Sequence, residues 1–178
     1  MTTRAMLAAA IGRIGSDLSP PAVVRRAEAG VPADDLWTAI VDSGLDRALV
    51  PESAGGAGLA WRDVLPLVQA CGEHAMPVPL AETLGAQALA GAAGMAIPEG
   101  AASFALLRPQ GAANTATDAA QVAWGDRVRT VVGLSASGDV RMLDPEKAIV
   151  RHRRDAAGEI RSSMQWPGGE SVDRGSAA

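Results

Sequence analysis

A chain of 178 residues can bury the core of one or two small domains. Its formal net charge of −4 excludes a generally basic nucleic-acid surface, and its single cysteine, Cys71, excludes an internal disulfide and fits a reducing compartment. Hydrophobic residues make up 48% of the chain but aromatic ones only 3%, so any core is built from Leu, Val, Ile and small side chains.

The first residues, Met1 to Ala10, briefly imitate a secretion signal, but Ile11-Gly12-Arg13 interrupts the apolar run. Met6, Leu7, Ala10, Ile11 and Ile14 instead fit one face of a helix over about 3–15. Ser19-Pro20-Pro21 ends it and starts a short helix through Val23 to Ala29, since proline is tolerated in a first turn. Asp34 or Asp35 is expected to cap the next helix, with Leu36, Trp37, Ile40 and Val41 as its stripe and Gly44 as its stop. Trp61, Val64, Leu65, Val68, Cys71 and Ala75 form another stripe, with Pro66 early enough to be survivable. Leu80, Leu84, Ala88 and Leu89 mark a last helix. The longest apolar stretch, Ala88 to Ile97, is too short and glycine-rich to span a bilayer, so a soluble cytoplasmic protein is expected.

After Ile97-Pro98-Glu99-Gly100 the period changes. Ser103 to Leu107, Val128 to Leu134 and Val140 to Leu143 read as strands, and Ala136-Ser137-Gly138-Asp139 reads as a hairpin turn. Ile160, Met164 and Trp166 share one parity, against Arg161, Ser163 and Gln165, as in a half-buried antiparallel strand. Gly111 to Asp118 reads as a loop, and Gly168 to Ala178 as a disordered tail.

Few residues suggest chemistry. Gly55-Gly56-Ala57-Gly58 invites comparison with a phosphate loop, but position 61 is Trp and helices flank it, so a structural turn is favoured. Cys71 and His74 lie three apart on one helical face, yet they fit a small core residue and a helix C-cap better than a thiolate pair. Two histidines and one cysteine give no metal-ligand spacing. Arg151-His152-Arg153-Arg154 either meets a phosphate or an acidic partner, or is simply a solvated strand end, the favoured reading. Trp37 and Trp61 read as helix-packing residues, and Glu82 as a favourable charge at a helix start.

Leu49-Val50-Pro51-Glu52, then Gly55-Gly56-Ala57-Gly58, then Pro77-Val78-Pro79-Leu80-Ala81-Glu82-Thr83 resemble the N-terminal helical domain of the acyl-CoA dehydrogenase family. Val122-Ala123-Trp124-Gly125-Asp126 and Val140-Arg141-Met142-Leu143-Asp144 resemble strands of that family's middle domain. The resemblance implies an α+β fold: an all-helical domain over 1–98, then a small, abbreviated antiparallel β domain over 99–167, with the tail at 168–178. It also implies FAD, an acyl-CoA substrate and α,β-dehydrogenation, an oxidoreductase reaction at a CH–CH bond. The family's Thr-Glu-Pro…Gly-Ser-Asp flavin-contact stretch has its nearest match in Leu107-Arg108-Pro109 and Ala112-Ala113-Asn114, where only Pro109 survives. Pro109 is therefore one candidate cofactor contact, and the β resemblance offers Trp124 as a second, for which a barrel-core tryptophan is the favoured reading.

Dehydrogenation requires a carboxylate for the α proton and a flavin for the β hydride, aligned on opposite substrate faces. By the resemblance, that carboxylate belongs to a C-terminal helical bundle that the residues up to Ala178 do not supply, so no catalytic residue is assigned. The expectation is a chain inactive alone that works with a second acyl-CoA dehydrogenase-type subunit or by self-association, with no nucleic-acid, membrane or metal partner. The alternative is a non-catalytic fragment or a helical interaction module.

Overall fold

The computed structural model describes residues 2–110, 116–156, 158–167 and 173–176. Among the described residues five α-helices precede seven strands, so the fold class is α+β as expected. The chain divides into two compact units, Met1–Leu84 and Gly85–Ala178, and the division falls inside the fifth helix rather than in the turn after it.

In the first unit, α1 (Thr3–Leu18) starts under Thr2, whose hydroxyl accepts from the Ala5 N–H at 3.3 Å. It buries Ile11, with Leu7, Ile14 and Leu18 packed beside it, but Met6 is 54% exposed and off the face assigned to it. Helix α2 (Pro21–Glu28) has Pro21 at its first position, where the missing N–H costs nothing. Helix α3 (Asp34–Asp42) has no side-chain cap; Asp34 and Asp35 lie in its first turn and act on the helix dipole instead of capping it. Leu36 and Ile40 are its buried residues, and Gly44 takes the left-handed conformation that ends the segment, at φ 67.

Helix α4 (Trp61–Glu73) buries Val64, Leu67 and Ala70, while Trp61 is 53% and Leu65 43% exposed. The predicted stripe was thus rotated: Trp61 is not a packing residue, whereas Trp37 packs partly buried against the core. Pro66 sits buried inside α4 and cannot donate to the Arg62 carbonyl one turn back. Helix α5 (Leu80–Ala92) gives Leu80 and Leu84 to the first core and Ala86 and Ala90 to the second unit.

The second unit is a seven-stranded sheet in the order β5-β6-β2-β1-β3-β4-β7. The strands are β1 (Ala102–Gln110), β2 (Ala116–Ala123), β3 (Thr130–Ser135), β4 (Asp139–Leu143), β5 (Ile149–Arg154), β6 (Ile160–Trp166) and β7 (Asp173–Ser176). Every neighbouring pair is antiparallel except β1–β3, so the expected antiparallel domain is a mixed sheet. The parallel pair arises because β2 returns beside β1 on one side. The turn after β2 then brings the Arg129 N–H to the Ala101 carbonyl at 2.9 Å, so β3 starts level with β1 on the other.

Both faces of the sheet's middle are covered. Val131 belongs with Leu107, Val122, Met164 and Trp166 on one face; its neighbour Val132 joins Ala86, Ala90, Val140 and Met142 on the other, and neither valine is exposed. That explains why β3 reads as a continuous apolar run. Residues 116–118, expected in a loop, belong to β2, while 111–115 lie outside the described residues. Residues 173–176 of the expected disordered tail pair with β4, and the rest of that tail beyond Gly168 lies outside the described residues.

Candidate functional site

Trp124 follows β2 at φ 56, a left-handed conformation that bulky residues seldom adopt. Its N–H donates to the Ile160 carbonyl at 3.3 Å, and its own carbonyl accepts from the Arg127 and Val128 N–H groups at 2.8 and 3.1 Å. Gly125 must be glycine here, because a Cβ would lie 2.5 Å from both Cβ and Oγ of Ser162. The Trp124 side chain is half-buried against the Leu107–Trp166 cluster, so core packing accounts for most of it. A second non-glycine at positive φ, Gln121 at 63, marks the bulge where β2 shifts register against β6.

Pro109 lies in β1 opposite Thr117 of β2. The buried Thr117 hydroxyl accepts from Arg141 Nη1 at 2.9 Å. Trp124 comes just after the far end of β2, so the two candidates stand roughly 20 Å apart along that strand, at ~3.3 Å per residue. Register thus separates the two candidates by most of the length of β2.

The described residues of β1 do not fit the flavin-contact pattern of the family resembled. Leu107, where a hydroxyl would be needed, is only 5% exposed and points into the core. Arg108 faces Asp118 at 3.8 Å. Among the described residues Ser103 Oγ and Asp118 Oδ1 are buried without a partner, but Ser103 is fully enclosed. Positions 112–114 lie outside the described residues.

What sequence reasoning missed is apolar exposure on the same strand: Phe104 is 50% and Leu106 72% exposed. The Phe104 ring lies over Gly85, where a Cβ would stand 2.7 Å from Cε1. The available signal was the parity of β1, where Phe104 and Leu106 share the side of Arg108 while Ser103, Ala105 and Leu107 share the other. Exposed apolar residues adjacent on a sheet suit packing against another apolar body.

In the first unit, the glycine segment is a closed turn. The N–H groups of Gly55, Gly56, Ala57 and Gly58 donate to the carbonyls of Glu52, Pro51, Arg47 and Val50, and Arg47 Nε donates to the Gly55 carbonyl at 3.2 Å. No amide of that segment is left for a phosphate. Helix α4 ends at His74, whose N–H donates to the Ala70 carbonyl and whose own carbonyl accepts from Ser19 Oγ at 3.1 Å. Burial, assisted by the charge of Glu82, pushes the Cys71 thiol up to about 12 from an ordinary 9.0. The thiol form is thereby favoured over a thiolate, and disulfide-exchange reagents should label Cys71 in denaturant but hardly at pH 8 in the folded protein. Because the folded thiol has the higher pKa, this contribution to stability is intact below pH 9 and fades as pH rises from about 9 toward about 12. A pH series of thermal melts checks the direction.

An open cleft of about 320 Å³ in this unit is lined by Asp17, Leu18, Val23, Arg26, Val31 and Asp34, among others, and contains neither Cys71 nor His74. Among the described residues no group of three or more His, Cys, Asp or Glu is placed to hold a metal. Among them, too, no helix is long and apolar enough to cross a membrane.

These two units define an α+β, partial acyl-CoA dehydrogenase-like fold. The Tcur3481–Tcur3483 steroid ACAD matches with a TM-score of 0.77 at 18% identity, over 93% of this chain and 55% of that one. The ChsE4–ChsE5 complex from Mycobacterium tuberculosis matches with a TM-score of 0.78 at 16% identity, over 100% of this chain and 58% of that one. XiaF from Streptomyces sp., solved with FADH2 and glycerol, matches at 0.62 and 12% identity, over 97% of this chain and 50% of that one. The chain thus spans little more than half the length of the structures it resembles. No protein-family model and no curated protein matches the sequence.

Proposed function

We propose that this chain is the helical and β portion of a cytoplasmic, flavin-dependent acyl-CoA dehydrogenase-type assembly acting on acyl-CoA thioesters. The supporting observation is the fold likeness, which extends over 93–100% of this chain but only 55–58% of the chains it matches. The proton-abstracting carboxylate and the second half of the FAD pocket then come from a second acyl-CoA dehydrogenase-type subunit; in the runner-up, self-association, a second copy of this chain covers the exposed apolar face and supplies no such carboxylate. FAD, when bound in that assembly, supplies the hydride acceptor. This chain's part is to pack and to exclude water, through Phe104 and Leu106 of β1, and its own residues neither abstract a proton nor hold the thioester oxygen.

Absence of turnover by the chain alone follows, since α-proton acidity depends on a dry, donor-lined site around the thioester oxygen. Co-expression with neighbouring dehydrogenase-type chains should yield a yellow complex that co-elutes on gel filtration and oxidises acyl-CoA. If every such mixture stays colourless and separate, the assembly reading fails. The exposed pair Trp61 and Leu65, one turn apart on α4, favours the second reading, a helical interaction module without flavin. That module would capture a partner through those two side chains with no cofactor.

A further inference from the structure

Strand β5 closes one end of the sheet order and has no strand beyond it among the described residues. It carries Arg151, His152, Arg153 and Arg154, all exposed. His152 Nδ1 is paired with Ser162 Oγ at 2.8 Å, and Arg154 Nη1 donates to the Gly158 carbonyl at 2.7 Å. The nearby Arg161 is held by Asp155 and Glu159. The side chains of Arg151 and Arg153 make no hydrogen bond or ion pair among the described residues.

The ladder fixes which peptide groups face outward. The Asp155 N–H donates to the Glu159 carbonyl, and the β5–β6 register runs without a break from there to Ile149 opposite Gln165. Antiparallel pairs alternate, so residues 149, 151 and 153 bond to β6 while Val150, His152 and Arg154 turn their N–H and C=O groups to the free edge. Consistently, the carbonyl of Ile160, opposite Arg154, is turned toward β2, where it accepts from the Trp124 N–H. Side chains alternate too: Val150 packs on the core, and Ile149, 56% exposed, shares the opposite face with Arg151 and Arg153.

An open edge bearing this charge repels a second copy of itself, because antiparallel β5–β5 pairing sets cation against cation. The same charge selects an anionic strand. We propose that the free edge of β5 docks an extended acidic segment of another polypeptide by strand addition, with carboxylates at alternate positions facing Arg151 and Arg153 and an apolar side chain against Ile149. This docking does not depend on flavin, so it stands or falls separately from the dehydrogenase reading.

The probe is a labelled Glu-Thr repeat peptide added to the full chain, read by fluorescence anisotropy and amide hydrogen exchange. The expected result is salt-sensitive binding that slows exchange at Val150, His152 and Arg154. The double variant R151E/R153E should weaken it about tenfold, since two attractive cross-strand pairs become repulsive. Circular dichroism verifies that this surface variant is folded. Should it not be, a Val150→Pro variant, which removes an outward N–H and leaves both arginines, gives the same loss. No peptide binding, binding without protection of those amides, or unchanged binding in both variants overturns the proposal. So does tighter binding of a single-stranded oligonucleotide of equal charge, which would assign the edge to nucleic acid.

Discussion

Trp166→Ala should cost the second unit about 3–5 kcal/mol. Trp166 is 1% exposed, packed with Leu107, Val122, Val131, Leu143 and Met164, and its Nε1 donates to the Asp144 carbonyl at 2.8 Å. Truncation therefore removes the largest side chain of that core and one partner of the Asp144 carbonyl together. Native stabilities run to about 5–15 kcal/mol, so such a loss removes a large share of the total and lowers the melting temperature markedly. Trp166→Phe keeps the ring volume in part and loses mainly the hydrogen bond, about 1 kcal/mol. Thermal melts followed in the far ultraviolet check the order wild type, Phe, Ala. An Ala variant that melts with wild type would remove Trp166 from the core.

Gly56→Ala should destabilise the first unit by about 2–3 kcal/mol, although it adds a single methyl group. A Cβ on Gly56 would run into the Val50 carbonyl oxygen, which is backbone and already accepts the Gly58 N–H at 2.8 Å. Relief requires opening the turn that Arg47 also clamps, through the Gly55 carbonyl. Gly12→Ala is the control: that helical glycine has nothing within 4 Å of a new Cβ, so the change should be neutral or slightly stabilising. Urea midpoints of the two variants should move in opposite directions or differ by the full amount. Equal midpoints would mean that the glycine turn is not closed as described.

The helical half was legible because its signals are local. Apolar period, Pro21 at a first helical turn and Gly44 at a stop each act within a few residues; Pro21 and Gly44 are found where expected, and the period places the helices though not every member of their buried faces. The α3 cap was read from side-chain type alone, and Ala33 occupies that position instead. The stripe of α4 was misjudged because Trp61 and Leu65 are apolar yet exposed, a choice that composition cannot reveal. In the β half, the β3–β4 hairpin and the parity of β6 were plain, whereas β2 was hidden by its weak residues, Ala-Thr-Asp-Ala-Ala-Gln-Val-Ala. That strand is held by neighbours on both sides rather than by propensity. The parallel β1–β3 pair depends on a long-range return of the chain, for which no local residue codes. Pro109 and Trp124 were singled out by likeness to other chains, and their separation along β2 is a fact of register. The exposure of Phe104 and Leu106 is not local information, because β1 carries apolar residues on both parities and only the rest of the fold decides which side is covered.

The most direct measurement is a titration of FAD against the purified 178-residue chain, followed by flavin fluorescence and by equilibrium dialysis. With Leu107 buried where a hydroxyl contact would be needed and Pro109 far from Trp124, no saturable quenching and no retained flavin are expected. Stoichiometric, tight binding of FAD by the chain alone would contradict the view that its pocket is completed from outside.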